Sequence, residues 1–293
     1  MKLTPITNEQ DWLDLRRNYV TSTQVASLFG LQMKSVPTAF ELWHLKRGLI
    51  DDVVEDNNYM HFGRVLEPAI VQIIKDNNPE WIVSPMRAFA ADDDYGIGSS
   101  YDYVVTIPDK STGILEIKTT AYRDYKERFI EDDDGEFIEM PAYYEVQCQT
   151  ELEVLNKYDW ICCAVAIIDV RDIKYIFRDR DREMGARIRN KVKAFWDSAE
   201  PPAPDLIADS DLLARMQRAN SSDKAYDATE SAEFDIAALS YLDAMSAAKK
   251  ADDEKKKARS QMLLAMGDCN TAWCNVARVS NKSSFRITPT KGK

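Results

Sequence analysis

Ile114-Leu115-Glu116-Ile117-Lys118 reads as a short apolar strand carrying an acid and a base two residues apart. Side chains on a strand alternate, so Glu116 and Lys118 share one face while Leu115 and Ile117 share the other. Upstream, Tyr101-Asp102-Tyr103-Val104-Val105-Thr106-Ile107 reads as a second strand, and the segment 108–113 between them is rich in turn formers. A hairpin folded about Asp109-Lys110 brings Asp102 back opposite the Glu116 and Lys118 end. Two carboxylates and one lysine would then share one small site. A divalent cation relieves such crowded negative charge, and a lysine beside it can orient water. That set suits metal-assisted hydrolysis of a phosphodiester. On these three residues alone, a solvated face with a cross-strand ion pair is the commoner outcome.

The 293 residues suffice for one large domain, or for one domain with an appendage. A net charge of −11 argues against passive nucleic-acid binding. Base nevertheless gathers between Arg171 and Lys193, over Lys249–Arg259 and after Arg278, so a locally basic groove could hold DNA with salt-sensitive affinity. No apolar run approaches a membrane span and the N-terminus has no signal-peptide core, which points to a cytoplasmic protein with no membrane partner. Five cysteines do not make a disulfide framework, and with only His44 and His61 beside them a zinc or iron–sulfur site is disfavoured.

Periodicity predicts helices over residues 8–50: one with Trp12, Leu13 and Leu15, one from Ser22 closing at Gly30, and one over Thr38–Gly48. Met60–Asn77 has Leu66, Ile70, Ile73 and Ile74 on one face, with Pro68 favouring a start near Leu66. Strands are expected at Trp81–Val83 and Met86–Ala90. Tyr122–Glu139 reads as a polar excursion from the sheet, with Arg123 an ordinary loop cation or, alternatively, a phosphate contact. Beyond it, Pro141–Leu155 reads as a helix, Trp160–Val170 and Lys174–Phe177 as strands, and Asp181–Trp196 as a basic amphipathic helix. Pro201-Pro202-Ala203-Pro204 marks a boundary, dividing the chain into 1–204 and 205–293. The second part is expected to hold a helical hairpin, including Ser240–Gly267, and a small β-hairpin around Ser280-Asn281-Lys282, without catalytic groups.

The order of these elements resembles the PD-(D/E)XK nuclease superfamily, and more closely the YqaJ-type viral recombinases related to lambda-type phage exonuclease. Arg16 through Thr23 resembles that family's Arg-x6-Ser element, with threonine in place of serine. Phe62-Gly63-Arg64-Val65-Leu66-Glu67 resembles its Gly-x3-Glu helix. Ser100-Tyr101-Asp102-Tyr103 stands where the family has Ser-Pro-Asp-Gly, two tyrosines replacing proline and glycine. Leu115–Lys118 matches the Glu-x-Lys element, and Tyr144-Glu145-Val146-Gln147 the Tyr-x2-Gln element. Each signature is short and weak alone; their order and spacing carry the likeness.

The resemblance implies an α/β (α+β) restriction-endonuclease-like core over 1–204, a central mixed sheet flanked by helices. It implies Mg²⁺ or Mn²⁺ held by Asp102, Glu116, the Ile117 carbonyl and Glu67, with Lys118 and Gln147 completing the catalytic set. Arg16 and Thr23 would hold a DNA 5′-phosphate. Also implied are digestion of duplex DNA ends from 5′ to 3′, a ring-shaped homo-oligomer, often a trimer, and a single-strand-annealing partner in phage-type recombination. A restriction or repair endonuclease and a catalytically silent DNA-binding module are the rival readings.

Overall fold

The architecture follows from a computed structural model that describes residues 2–31, 36–51, 58–134, 137–221 and 225–290. The chain divides into two units, residues 1–220 and 221–293. The first runs β1 (Lys2–Pro5), α1 (Glu9–Asn18), β2 (Val20–Thr21), α2 (Ser22–Leu28), α3 (Ala39–Lys46) and α4 (Asn58–Asn77). Then come β3 (Ile82–Asp92), β4 (Ile97–Ile107), β5 (Ser111–Thr120), α5 (Tyr122–Arg128), β6 (Ile130–Glu131) and β7 (Ile138–Glu139). The unit closes with α6 (Ala142–Leu155), β8 (Trp160–Ile167), β9 (Asp172–Asp179), α7 (Arg182–Asp197) and α8 (Ser210–Asn220).

Its main sheet has the order β1-β3-β4-β5-β8-β9, with β2 alongside β4. β3, β4 and β5 form an antiparallel meander. β8 lies parallel to β5, which requires the crossover through α6, and β9 returns antiparallel. The sheet is therefore mixed, as expected. Alternate residues of β8 enter two separate cores: Ile161, Cys163 and Val165 pack with α2, α6 and α7, and Cys162, Ala164 and Ala166 pack with α4. This explains why Trp160–Ile167 reads as an unbroken apolar run, for a strand covered on both faces needs no polar alternation.

Several sequence expectations change. Helix α4 runs straight through Pro68, beginning at Asn58 rather than near Leu66. Its neighbours on the sheet sustain it despite the missing N–H, since Ile70, Val71 and Ile74 are buried there. Ile73, expected inward, is exposed. Trp81–Val83 and Met86–Ala90 are not two strands; one strand, β3, spans both and is interrupted by a bulge between Pro85 and Ala88. The segment Tyr122–Glu139 is no mere excursion: it forms α5 and the β6–β7 ladder, and anchors Tyr125, Phe129 and Ile138 in the core.

The packing unit also passes the Pro201–Pro204 break. Thr38 Oγ1 donates to Asp209 Oδ1 at 2.7 Å, and Leu212 of α8 is buried. α8 thus belongs with residues 1–220. The second unit holds α9 (Ala232–Met266), β10 (Thr271–Trp273), β11 (Ala277–Ser280) and β12 (Arg286–Pro289). The stretch 205–293, expected to hold a helical hairpin, contains two helices: α8, in the first unit, and the 35-residue α9, capped by Ser231 accepting from the Phe234 N–H. The hairpin about Ser280–Lys282 is present as β11–β12, and β10 adds a third antiparallel strand. Among the described residues no helix is long and apolar enough to cross a membrane.

Candidate active site

The β4–β5 hairpin does what its sequence suggests. Tyr103 pairs with Leu115 and Ile107 with Ser111, so Asp102 and Glu116 stand one step beyond the last paired residues. Lys118 Nζ lies 2.7 Å from Glu116 Oε1 and donates to Gln147 Oε1 at 3.0 Å. Gln147 Nε2 in turn donates to Glu116 Oε1 at 2.9 Å, closing a three-membered circuit between β5 and α6. The Lys118 ammonium also sits 5.1 Å from the centroid of the Tyr144 ring, one helical turn before Gln147. Burial, the largest influence, works against the lysine's charge, but the charge and hydrogen bond of Glu116 together with Tyr144 and Cys163 hold Lys118 above the ordinary lysine range. The ammonium is thus fixed in place and in charge.

Asp102 is positioned by a defect in the sheet. Tyr101 pairs with Ala88, but Tyr103 pairs with Pro85, leaving both Met86 and Arg87 across from Asp102. Two residues facing one is a bulge, which turns a strand and redirects its side chains. Arg87 takes the left-handed φ of 39° there. On either side of Asp102 the strand serves different cores. Tyr101 packs in the core under α6 and donates from its hydroxyl to the Glu151 carbonyl at 2.7 Å, whereas Tyr103 packs with the α4 side. Side chains from both helices therefore reach this one point of the sheet.

Glu67 arrives from α4 and accepts a hydrogen bond from the Tyr103 side chain. Desolvation, then the Asp102 and Glu116 charges, push its carboxyl up to about 7, against that hydrogen bond and Arg87. Asp102 is exposed at the surface, with Glu116, Lys118 and Arg87 close enough for their charges to act on it. Its carboxyl is pushed up to about 6 by desolvation first and Glu116 second, against Lys118 and Arg87. Glu67 and Asp102 thus resist ionising beside the Glu116 charge. This donor set, all oxygen and mutually repelling, fits a hard divalent cation such as Mg²⁺ or Mn²⁺. Among the described residues no three acidic, histidine or cysteine side chains already converge to cage an ion. The carboxylates share an electrostatic field, and Glu116 Oε1 is engaged by Lys118 and Gln147.

Ile117, the backbone link between Glu116 and Lys118, pairs with Ala164 of β8. Arg16 lies on α1 with its guanidinium 4.3 Å from the Trp12 ring centroid. Thr23 is half-buried in the first turn of α2, whose N-cap is Thr21. β2 pairs Val20 and Thr21 with Ile97 and Gly98, which sets the start of α2 beside the strand that carries Asp102. Ser22 is committed to structure, accepting from Ser99 Oγ at 2.8 Å.

Three residues of this site escaped the sequence reading. Glu151 lies one turn beyond Gln147 and accepts from Gln147 Nε2 at 2.9 Å. Burial first, then Glu116, raises its carboxyl well above the usual range, and its Oε1 steadies the Gln147 amide. Its spacing of four from Gln147 was the available signal. Arg87 depends on the bulge, hinted at only by Pro85 inside a strand. Tyr103, standing where the family pattern has glycine, supplies the hydroxyl that meets Glu67.

The profile of the YqaJ-like viral recombinase domain matches residues 11–157. Among solved structures the chain is similar to LHK-Exo, an alkaline exonuclease from Laribacter hongkongensis, at 21% identity and a TM-score of 0.49 over 72% of this chain and 100% of that one. LHK-Exo in complex with dAMP gives 21% identity and a TM-score of 0.50 over the same shares. A phage-related exonuclease from Haemophilus somnus 129PT gives 13% and 0.42, over 68% of this chain and 96% of that one. No curated protein matches the chain. The likeness to the dAMP complex is one of fold, and it agrees with the PD-(D/E)XK-like core expected from the motifs. The profile spans half of the sequence, from within α1 to just past α6, and takes in Glu67, Asp102, Glu116, Lys118 and Gln147. The protein belongs to the YqaJ-like viral recombinase domain family.

Proposed function

We propose that the protein is a metal-dependent exodeoxyribonuclease that digests duplex DNA from a 5′ end and leaves a 3′ single strand. One observation carries the reading: a lysine locked between Glu116 and Gln147, with the charges of Asp102 and Glu67 acting on the same carboxylate cluster. Membership of the family supports it, as does the likeness in fold to a protein described as an alkaline exonuclease.

Asp102, Glu116, the Ile117 carbonyl and Glu67 would hold Mg²⁺ or Mn²⁺, which when bound there offsets phosphate charge and makes water more acidic. The chain's own groups do the rest. Lys118 Nζ, kept protonated by Glu116, donates a hydrogen bond to the attacking water or to the phosphate oxygen that gains charge. Gln147 holds that ammonium in one orientation, and Glu151 holds Gln147. Arg87 limits the build-up of negative charge between Asp102 and Glu67. Arg16 and Thr23, a guanidinium and a hydroxyl, are the groups assigned to a terminal 5′-phosphate. The same reading includes a ring-shaped homo-oligomer around DNA and a single-strand-annealing partner.

The test uses linear duplex labelled at its 5′ or 3′ end, with and without a 5′-phosphate, beside a closed circle. Digestion of the linear form alone, faster with the 5′-phosphate and dependent on Mg²⁺, is expected. Cutting of the closed circle would instead identify an endonuclease. Asp102→Asn and Glu116→Gln should each abolish digestion with the circular dichroism spectrum unchanged. Substantial Mg²⁺-dependent cleavage in both folded variants would reject the site.

A further inference from the structure

The second unit carries a surface that the cleavage site does not explain. Residues 221–293 hold twelve Lys and Arg against ten Asp and Glu, in a chain whose net charge is −11. The imbalance concentrates at the end: from Cys269 to Lys293 there are five Lys and Arg and no acid at all. The family profile ends at residue 157, well before this segment.

The strand register sorts these residues. Trp273 pairs with Arg278, and Arg278 pairs with Thr288. Two positions along, Thr271 pairs with Ser280, and Ser280 with Arg286. Directly opposed residues in an antiparallel sheet share a face, as do residues two apart on one strand. One face of this small sheet therefore presents an indole, two guanidinium groups and three hydroxyls. The alternate positions, Ala272, Val279 and Ile287, lie on the other face, where Val279 is buried. Trp273 is 79% exposed, and Arg278 and Arg286 are exposed beside it. An indole in solvent beside two guanidinium groups on a pleated platform combines a stacking surface with phosphate-binding cations.

The platform is tied down. Cys274 N donates to the Ala277 carbonyl at 2.9 Å, and Thr290 donates from its N–H to Val276 O at 3.0 Å and from its hydroxyl to Asn275 O at 2.7 Å. The Arg259 guanidinium of α9 lies 5.0 Å from the centroid of Phe285, in the β11–β12 connection.

We propose that this face binds single-stranded DNA, with Trp273 stacking on an unpaired base and Arg278 and Arg286 meeting the flanking phosphates. Cations alone would suit any nucleic acid, but a flat ring offered to solvent is useful only to a base outside a duplex stack. The face belongs to the second unit, and its binding does not depend on cleavage at the carboxylate site.

The experiment measures binding of a fluorescein-labelled 20-nucleotide single strand to the full-length protein by anisotropy, in EDTA so that no cleavage is read. Trp273→Ala should weaken binding roughly five- to a hundredfold, the range for loss of one base stack. Trp273→Phe, which keeps a ring, should stay within about threefold of wild type. Arg278→Gln with Arg286→Gln should flatten the slope of log K against log salt by about 1.4, two phosphate contacts on a single strand. A blunt duplex of the same length should be little affected by any of these. Wild-type affinity in Trp273→Ala with an unchanged salt slope in the arginine variant overturns the proposal. So do equal losses in the Ala and Phe variants, or losses that fall equally on the duplex.

Discussion

On the proposed function Lys118 is one cation among many that would meet phosphates, so its contribution to binding and its contribution to rate should separate. Its ammonium is held by Glu116 at 2.7 Å and Gln147 at 3.0 Å, a geometry suited to one hydrogen bond in the transition state. Lys118→Ala should lower the single-turnover cleavage rate by roughly a hundredfold or more while changing duplex affinity only a few-fold. Parallel losses in rate and affinity would make Lys118 a phosphate clamp. The carboxylates make a second residue-scale prediction. Glu67 and Asp102 have raised values, about 7 and about 6, so the folded protein holds their protons more tightly than the unfolded chain does. Their contribution to stability is therefore complete below the ordinary carboxylate range and is lost as pH rises through 6 to 7. In EDTA, the Tm of wild type relative to Glu67→Gln should fall between pH 4.5 and pH 7.5. At the upper pH, Mg²⁺ should restore wild type more than the variant. A pH-independent difference in Tm would show that Glu67 does not feel the other two charges.

At the scale of elements, the site depends on α6 keeping its height and rotation over the sheet. The buried Glu153 side chain does much of that. It pairs with Arg180 at 2.6 Å and with Arg189 of α7, and Gly185 leaves room for it, since a Cβ there would lie 2.4 Å from Glu153 Oε2. Both Glu153 and Arg180 are nearly closed to solvent, so removing one partner strands the other charge. Glu153→Ala should destabilise the protein by about 3–5 kcal/mol in denaturant unfolding, the usual cost of breaking a buried pair. Gly185→Ala should also destabilise, through the same carboxylate. Losses under 1 kcal/mol in both variants would mean that α6 and α7 are held by their apolar faces alone. Glu153 lies two residues past Glu151, so the same helix that orients the Gln147 circuit is clamped from behind.

For the whole molecule, the division at Asn220 and Ser221 separates the carboxylate site from the basic sheet. A chain ending at Asn220 keeps every residue assigned to cleavage, including α8 with buried Leu212 and the Asp209 that accepts from Thr38. It should unfold cooperatively and digest linear duplex in Mg²⁺. A chain ending at Pro204 loses that hydrogen bond and Leu212 and should melt several degrees lower. If the longer form folds and binds duplex ends yet has no nuclease activity, the second unit supplies part of the chemistry and the assignment to residues 1–220 is wrong.

The sequence by itself determined the local geometry of this protein. Alternation along 101–107 and 114–118, with turn formers between, fixed a hairpin that leaves Asp102 opposite Glu116, because strand period and turn chemistry are local properties. Helical spacing likewise fixed α6 and put Gln147 on it. Tertiary structure decided which neighbours those residues would have. The bulge that sets Arg87 across from Asp102 exists only when β3 pairs with β4, and Pro85 alone does not specify it. Helix α4 continues through Pro68 because burial of Ile70, Val71 and Ile74 outweighs a local preference to stop. Glu151 became part of the site, with its carboxyl raised above the usual range, only once α6 was laid over β5 and the group was buried there. Spacing can put two residues on one face, but desolvation and the charges of a distant strand belong to the packed molecule.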